Sequence, residues 1–232
     1  MESEVRRKNT NKTCYMCKNI ATSTEHVPPK CLFPEAKYLP AGVNLRKELI
    51  TVPSCYDHNM QKSKDDEYLF LCLLSNFANN GLARLTFESK MLPAIARKPK
   101  LYENLMKHIV PVIVENSITK EAYKTYMIKP DIKRLYNSFE YMAKALYFKQ
   151  YNERFTGTCE IKDDFTLSYG LDNSTQLNDS LHKDRKAVKD YFEHKPHAGD
   201  NPEVFRYLFE ENGDVLRMQF YGGSNVYVAF KK

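Results

Sequence analysis

The chain has 232 residues, of which 42% are hydrophobic and 12% aromatic, and this composition excludes an intrinsically disordered protein. Its net charge of +6 is compatible with a polyanionic partner but does not identify one. No apolar run approaches the roughly 18 residues of a membrane-spanning helix, and the polar N-terminus lacks the apolar core of a signal peptide. We therefore expect a cytoplasmic protein without a membrane partner, in which six cysteines serve metal binding rather than disulfides.

Composition divides the chain into three regions. Residues 1–12 are polar and predict a flexible basic arm, whereas residues 13–80 are rich in Cys, Pro, His and Asn and predict a small finger that ends in a helix. That helix is predicted to begin between residues 54 and 57 and to stop at Gly81, because glycine commonly follows the last turn of a helix. Residues 81–232 are predicted to form an accessory body.

The first half of this body has a helical pattern of apolar residues. Leu105, His108, Ile109 and Val112 share one face at helical spacing, and the apolar residues between 132 and 146 share another. Residues 100–155 are therefore predicted to be helical.

The second half of the body has shorter, strand-like segments. Residues 158–161 and 165–169 predict strands, and residues 181–194 indicate a charged helix. A short apolar segment covers residues 203–209. Residues 215–230 predict a hairpin that turns at two consecutive glycines.

Aromatic and lysine residues interleave at two places, residues 144–149 and residues 221–232. Such a stripe could bind a nucleic-acid strand, because aromatic rings stack on bases and lysines pair with phosphates. At helical or alternating spacing, however, aromatic residues more often belong to the hydrophobic core, and we expect the core here.

Two short spacings indicate a metal site. Cys14 and Cys17 are separated by two residues, as are Cys55 and His58. Two intervening residues allow a tight turn to place both ligands on one ion, and two such pairs complete the four-coordinate shell of a structural zinc. The alternative is two buried thiols and a surface histidine.

An acidic residue and a histidine lie between the two halves of this predicted zinc site. Glu25 offers an oxygen ligand for a hard metal ion, and His26 is an imidazole that can accept a proton from water. Asn59, directly after His58, offers a second oxygen. Taken alone, the pair Glu25-His26 would more often be exposed to solvent than catalytic; its place between the zinc ligands favours a site.

These motifs together resemble the HNH endonuclease family, and more narrowly a bacterial group that carries the phrase Glu-His-Val-Pro-Pro. The resemblance is specific over residues 13–70 and looser beyond, where residues 144–148 and 220–223 are similar to the same group. It implies two short strands and a helix around a divalent ion, hence an α+β fold: a zinc-stapled ββα-metal finger, then a mainly helical body with a C-terminal β-hairpin or small sheet. The motifs are Cys14-x-x-Cys17, Glu25-His26-Val27-Pro28-Pro29-Lys30, Leu32-Phe33-Pro34, Leu49-Ile50-Thr51-Val52-Pro53-Ser54-Cys55, His58-Asn59 and Ser63-Lys64-Asp65-Asp66-Glu67-Tyr68.

The resemblance also implies a role for each site residue. His26 becomes the general base, and Glu25 and Asn59 become ligands of a catalytic Mg²⁺ or Mn²⁺. The asparagine that braces the loop in the family aligns with Glu48, a departure, and Asn44 is the alternative brace. A second departure is His58, which replaces the usual fourth zinc cysteine and is chemically sound for zinc.

Three residues one turn beyond Asn59 are candidates for phosphate contacts: Lys62, Ser63 and Lys64.

The implied activity is hydrolysis of phosphodiester bonds in DNA, leaving a 5′ phosphate and a 3′ hydroxyl as members of the family do. By analogy with nucleases of this size, the protein could serve in defence or in mobile elements. Two alternatives stay open. One is a zinc-finger module that binds nucleic acid without cutting it, which the glutamate at position 48 favours. The other is a toxin that cuts RNA by the same mechanism. A protein partner or a homo-oligomer is compatible with the body at residues 81–232.

Overall fold

The computed structural model is a mixed helix and sheet protein of the α+β class. Two strands and a helix form the N-terminal part, and a five-stranded sheet with a long helix forms most of the rest. The structure describes residues 13–76, 78–97, 103, 107–115, 119–168, 174, 176–180, 183 and 193–232, except the side chains of residues 61–64, 114, 115 and 123. The predicted arm at residues 1–12 lies outside them.

A two-stranded antiparallel ribbon opens the fold. Strand β1 (Ser23–His26) pairs with β2 (Thr51–Ser54), and Glu25 lies opposite Val52. Helix α1 (Tyr56–Leu74) begins one residue after β2, with Cys55 at its N-cap position. The helix start predicted between residues 54 and 57 is confirmed.

Gly81 does not end this helix, contrary to the prediction. Helix α1 ends at Leu74, and Gly81 is instead the first residue of the next helix. The physical reason is Asn80, whose side chain accepts hydrogen bonds from the backbone N–H groups of Leu82 and Ala83 and so caps that second helix.

The second helix is interrupted by one π-helical turn. Helix α2 (Gly81–Thr86) passes into a π-helical turn (Phe87–Met91) and then into helix α3 (Leu92–Arg97).

Residues 109–115 and 122–128 form strands where a helix was predicted. Strand β3 (Ile109–Glu115) pairs with β4 (Ala122–Ile128) as a separate antiparallel hairpin. The run Ile109-Val110-Pro111-Val112-Ile113 is β-branched at four of its five positions, which favours strands. Pro111 would remove a helical hydrogen bond but is tolerated in an edge strand. Leu105 lies outside the described residues.

The helix predicted from the apolar face between residues 132 and 146 is confirmed. Helix α4 (Ile132–Tyr151) starts at Asp131, whose side chain accepts a hydrogen bond from the N–H of Arg134. It ends at Asn152, which adopts the left-handed conformation with φ of +54°. Its buried face includes Leu135, Phe139, Met142, Ala143 and Leu146.

The C-terminal part is a five-stranded antiparallel sheet in the order β5-β9-β8-β7-β6. It contains β5 (Thr158–Asp163), β6 (Ala198–Asn201), β7 (Phe205–Phe209), β8 (Val215–Phe220) and β9 (Ser224–Lys231). The predicted hairpin is therefore confirmed as β8–β9. The prediction of a mainly helical body after residue 81 is wrong, since the described portion of that region contains seven strands.

Two predictions for residues 165–194 have different outcomes. Residues 165–168 form no strand, because the Asp163 side chain accepts hydrogen bonds from the N–H groups of Phe165 and Thr166 and turns the chain away from β5. The charged helix predicted at residues 181–194 falls mostly outside the described residues.

One hydrophobic cluster joins the N-terminal finger to the body. It contains Leu69 and Leu73 of α1, Phe139 of α4 and Phe220 of β8, all at 0% exposure. The boundary placed at residue 80 therefore stays a prediction. Within the described residues, every helix is too short or too polar to cross a bilayer.

The aromatic and lysine stripes belong largely to the core, as expected. Leu146 and Tyr221 are fully buried, and Phe230 is 7% exposed. The rings of Tyr147 and Phe230 have centroids 5.1 Å apart. These aromatic side chains join α4 to the sheet.

The turn between β8 and β9 docks on the loop after α1. Asn76 donates through Nδ2 to the carbonyl oxygen of Gly223 at 3.2 Å, and Ser224 donates to Oδ1 of Asn79 at 2.9 Å. A Cβ atom at Gly223 would lie 2.0 Å from the carbonyl oxygen of Ala78. This close approach between two backbones admits only glycine.

We predict that Gly223→Ala destabilises the protein by about 1–3 kcal/mol, because the overlap forces the two backbones apart. Urea denaturation followed by circular dichroism measures the effect. Gly81→Ala is the matched control, since a Cβ there meets no atom within 4 Å and should leave stability unchanged or slightly raised. Equal midpoints for the two variants would contradict the proposed docking.

Candidate functional site

The two predicted ligand pairs converge on one point. The donor atoms of Cys14, Cys17, Cys55 and His58 all lie within 4.8 Å of one another. Cys14 and Cys55 are buried, whereas Cys17 and His58 are half-buried. Four donors from sequence-distant pairs form a cluster that can hold a metal ion.

Local backbone contacts bring these residues together. The N–H of Cys14 donates to the carbonyl oxygen of Asn19, which closes the turn that carries Cys17. The N–H of Tyr15 donates to the carbonyl oxygen of Pro53 in β2, which places this turn beside Cys55. His58 follows one helical turn after Cys55, so both face the same point.

Two of three donor distances match a tetrahedral ion, and the third is shorter. Two sulfurs bound at about 2.3 Å to such an ion would be about 3.8 Å apart, and a sulfur and an imidazole nitrogen about 3.6 Å apart. The sulfurs of Cys17 and Cys55 are 3.8 Å apart, and His58 Nδ1 lies 3.7 Å from the Cys14 sulfur and 3.1 Å from the Cys55 sulfur. Three sulfurs and one imidazole are a donor set that suits zinc.

The surroundings of Cys14 favour its ionised form. Burial acts to raise the pKa of this thiol, but backbone hydrogen bonds, including one from the N–H of Met16 at 3.4 Å, outweigh it and hold the pKa below the ordinary value. A thiolate is the form that binds a metal. The centroid of the Tyr141 ring, from α4, lies 6.4 Å from that of the His58 ring.

We predict about one zinc ion per chain by elemental analysis. Cys14→Ser should lose that ion and lower the free energy of unfolding, because metal binding is coupled to folding. Cys159→Ser is the matched control, since this thiol lies on β5, outside the cluster, and should keep both metal and fold. Cys31 and Cys72 should be dispensable for the metal in the same assay. Metal-free protein with unchanged stability would contradict the assignment.

Glu25 is buried, at 6% exposure, and lies near the Tyr15 side chain. Burial and then the charge of Glu25 raise the pKa of Tyr15, which keeps the phenol protonated beside the carboxylate. A buried carboxylate requires such polar neighbours. Tyr15 was not a candidate from its sequence context, although its position directly after Cys14 was a usable signal.

His26 is half-buried at the end of β1. Burial, followed by the nearby Lys30, lowers the pKa of His26, and Glu25 opposes this only in part. Its Nδ1 atom is shielded from solvent and has no hydrogen-bond partner among the described residues. The ring is therefore neutral near pH 7 and retains a nitrogen that can accept a proton.

Asn59 reaches β1 from the first turn of α1. Its Nδ2 atom donates to the Ser23 hydroxyl at 2.9 Å. Ser23 and Glu25 are two residues apart in a strand, so their side chains lie on the same face of the ribbon. Asn59 and Glu25 thus share one face, whereas alternation directs His26 to the other face at the strand's end.

The side chains of Lys62, Ser63 and Lys64, the candidate phosphate contacts, lie outside the described part of the chain. Their backbone belongs to α1.

The loop between β1 and β2 has two candidate braces. Glu48 is exposed and adopts the left-handed conformation with φ of +50°. Asn44 accepts a hydrogen bond through Oδ1 from the N–H of Arg46 at 3.0 Å and so braces its own turn. Arg46 in turn donates through Nε to the carbonyl oxygen of Phe33 at 3.0 Å.

We predict that Glu48→Asn stabilises the protein by about 0.5–1 kcal/mol, because asparagine adopts the left-handed region more readily than glutamate. The thermal midpoint measures this change. Glu48→Gln is the control that removes the charge without easing the backbone conformation. A gain for Glu48→Gln equal to that for Glu48→Asn would show that charge, not conformation, is responsible.

No protein-family model, curated protein or solved structure matches this chain.

Proposed function

We propose that the protein is a metal-dependent nuclease of the HNH type, with a zinc-stapled ββα finger over residues 13–80. The observation that carries the proposal is the placement of Asn59, which follows a metal ligand in the first turn of α1 and reaches the β1 face that also bears Glu25. The motif resemblance assigns a metal-binding role to these same two residues. Zinc at the four-ligand cluster would fix the start of α1 against the ribbon.

A second ion, Mg²⁺ or Mn²⁺, would be held by the carboxylate of Glu25 and the amide oxygen of Asn59. Both are oxygen donors, which these cations prefer. When bound, such an ion supplies stabilisation of negative charge on the phosphate and on the leaving oxygen.

We assign the general base to His26, whose ring would have to act past the end of β1, because alternation places it on the face opposite Glu25 and Asn59. Its neutral ring accepts a proton from a water molecule, the water oxygen forms a new bond to phosphorus, and the bond to the 3′ oxygen breaks. The leaving oxygen takes a proton from solvent, so the products are a 5′ phosphate and a 3′ hydroxyl. The low pKa of His26 keeps the ring in the proton-accepting form at neutral pH.

The expected substrate is DNA, with RNA as the alternative that shares the mechanism. The left-handed backbone at position 48 supports the alignment with the family's loop asparagine, since asparagine favours that conformation. The biological role that goes with this activity is nucleic-acid cleavage in the cytoplasm, in a defence system or a mobile element.

The burial of Glu25 favours a second candidate function. A carboxylate at 6% exposure beside a buried tyrosine could serve the fold alone. The finger would then be a nucleic-acid-binding module without catalysis. This candidate predicts retention of DNA without cleavage.

The test is incubation of the protein with supercoiled plasmid, linear DNA, single-stranded DNA and RNA, with and without Mn²⁺. We predict Mn²⁺-dependent nicking and a loss of about a hundred- to ten-thousand-fold in His26→Ala, as expected for a general base. DNA binding should survive in that variant, because lysines and arginines dominate affinity for phosphates.

Glu25→Ala and Asn59→Ala should also lose cleavage while retaining zinc. Asp57→Ala is the matched control, since Asp57 is an exposed acid in the same first turn of α1. If DNA shifts without nicking, or His26→Ala nicks at the original rate, the nuclease proposal fails and the binding module takes its place. If Asp57→Ala alone loses cleavage, the catalytic ion has been assigned to the wrong residues.

A further inference from the structure

A cavity of about 620 Å³ lies apart from the metal cluster, between α1, the helical run that ends in α3 and the loop after Lys30. Small-molecule sites in proteins commonly measure about 300–1,000 Å³ and often lie between helices. The described residues that line the cavity include none of the four metal ligands and none of the three proposed catalytic residues. The cavity therefore requires its own explanation.

Helical spacing directs two cations and an apolar surface into this cavity. Lys90, Ala94 and Arg97 line it at intervals of four and three residues, which places them on one face of the run through the π-helical turn and α3. Phe70 and Leu71 of α1 line the other side. The result is an apolar space with positively charged groups on one wall.

Lys90 is held in place by neutral acceptors. Its ammonium group donates to the carbonyl oxygens of Cys31 at 2.9 Å and Phe33 at 3.4 Å, and it lies 5.6 Å from the centroid of the Phe70 ring. Burial, followed by the charge of Arg46, lowers the pKa of Lys90. An anion in the cavity would stabilise this ammonium group.

The acidic groups do not cancel the positive wall. Four basic side chains line the cavity against two carboxylates. Glu35, one of the two, already contacts Lys37 at 2.9 Å and Arg46 at 3.8 Å. Glu35 thereby pairs with Lys37, and Asp65 pairs with Arg134 from outside the lining, so the positive charge that favours an anionic ligand comes from Lys90 and Arg97.

The Arg134 guanidinium is the accessible planar group in another part of the wall, because the Tyr68 ring beneath it is only 8% exposed. The guanidinium carbon of Arg134 lies 4.3 Å from the centroid of the Tyr68 ring, and Asp65 fixes this guanidinium through a contact of 2.6 Å. The His108 ring meets Tyr68 edge-on at 6.3 Å. Stacked guanidinium and aromatic groups suit a planar nucleobase.

We propose that this cavity binds a nucleoside monophosphate, with the base in the apolar space beside Tyr68 and Arg134 and the phosphate near Lys90 and Arg97. The same chemistry is present in a free nucleotide and in one unpaired unit of a nucleic-acid strand. The proposal goes beyond nuclease activity and does not require it.

The test is calorimetric titration of the zinc-loaded protein, without Mg²⁺ or Mn²⁺, with AMP, adenosine and octyl phosphate. AMP should bind about tenfold or more tightly than either of the other two, because only AMP offers both the base and the phosphate. Arg97→Gln should weaken AMP binding about tenfold. Arg84→Gln is the matched control on the same helical run, since its side chain is 83% exposed and does not line the cavity.

Lys90→Met is the second variant and should also weaken AMP binding, with circular dichroism used to verify its fold. Absence of AMP binding, equal binding of octyl phosphate, or unchanged affinity in both Arg97→Gln and folded Lys90→Met would overturn the proposal. A tetranucleotide that binds more tightly than AMP, with the same loss in Arg97→Gln, would identify a strand unit, whereas tighter AMP binding would identify a free nucleotide. Because only binding is measured, an inactive nuclease would leave these outcomes unchanged.

Discussion

Closure of the four-ligand cluster is the constraint on which the N-terminal part depends. Cys17 and Cys55 are 38 residues apart in the chain, yet their sulfurs lie within van der Waals distance. The intervening ribbon has only two strands of four residues each, and isolated two-stranded ribbons are marginally stable. An ion shared by the turn and the helix start would supply the cross-link that the short strands lack.

Such a cross-link would also hold the start of α1, because Cys55 and His58 lie at its N-terminal end. With its first turn fixed at Cys55 and His58, the helix directs Asn59 towards β1 and carries Leu69 and Leu73 into the shared hydrophobic cluster. Tyr68, nine residues beyond Asn59, lies about 13 Å further along the helix axis and forms a wall of the cavity. One helix thus positions groups of the metal centre, the core and the cavity.

The features that could be predicted from sequence have local causes. The spacing of Cys14 and Cys17, the start of α1 and the paired glycines of the last hairpin each fix a structure through residues a few positions apart. The remaining features depend on partners distant in the chain. The burial of Glu25 beside Tyr15 and the cavity between two helices needed the folded chain. The apolar periodicity at Ile109 to Ile113 wrongly predicted a helix. A run of only five residues is compatible with the spacing of either a helix or a strand.

The contact between the loop after α1 and the last hairpin has a consequence for synthesis on the ribosome. Asn76 and Gly223 are 147 residues apart in the chain. At a synthesis rate of about 5–20 residues per second, Gly223 is added roughly 7–30 s after Asn76. Throughout that interval the apolar face of α1 has neither β8 nor the turn after it to cover it. Early metal capture would hold the nascent finger in its final shape during this exposure, and the supply of metal during synthesis would then affect the yield of folded protein.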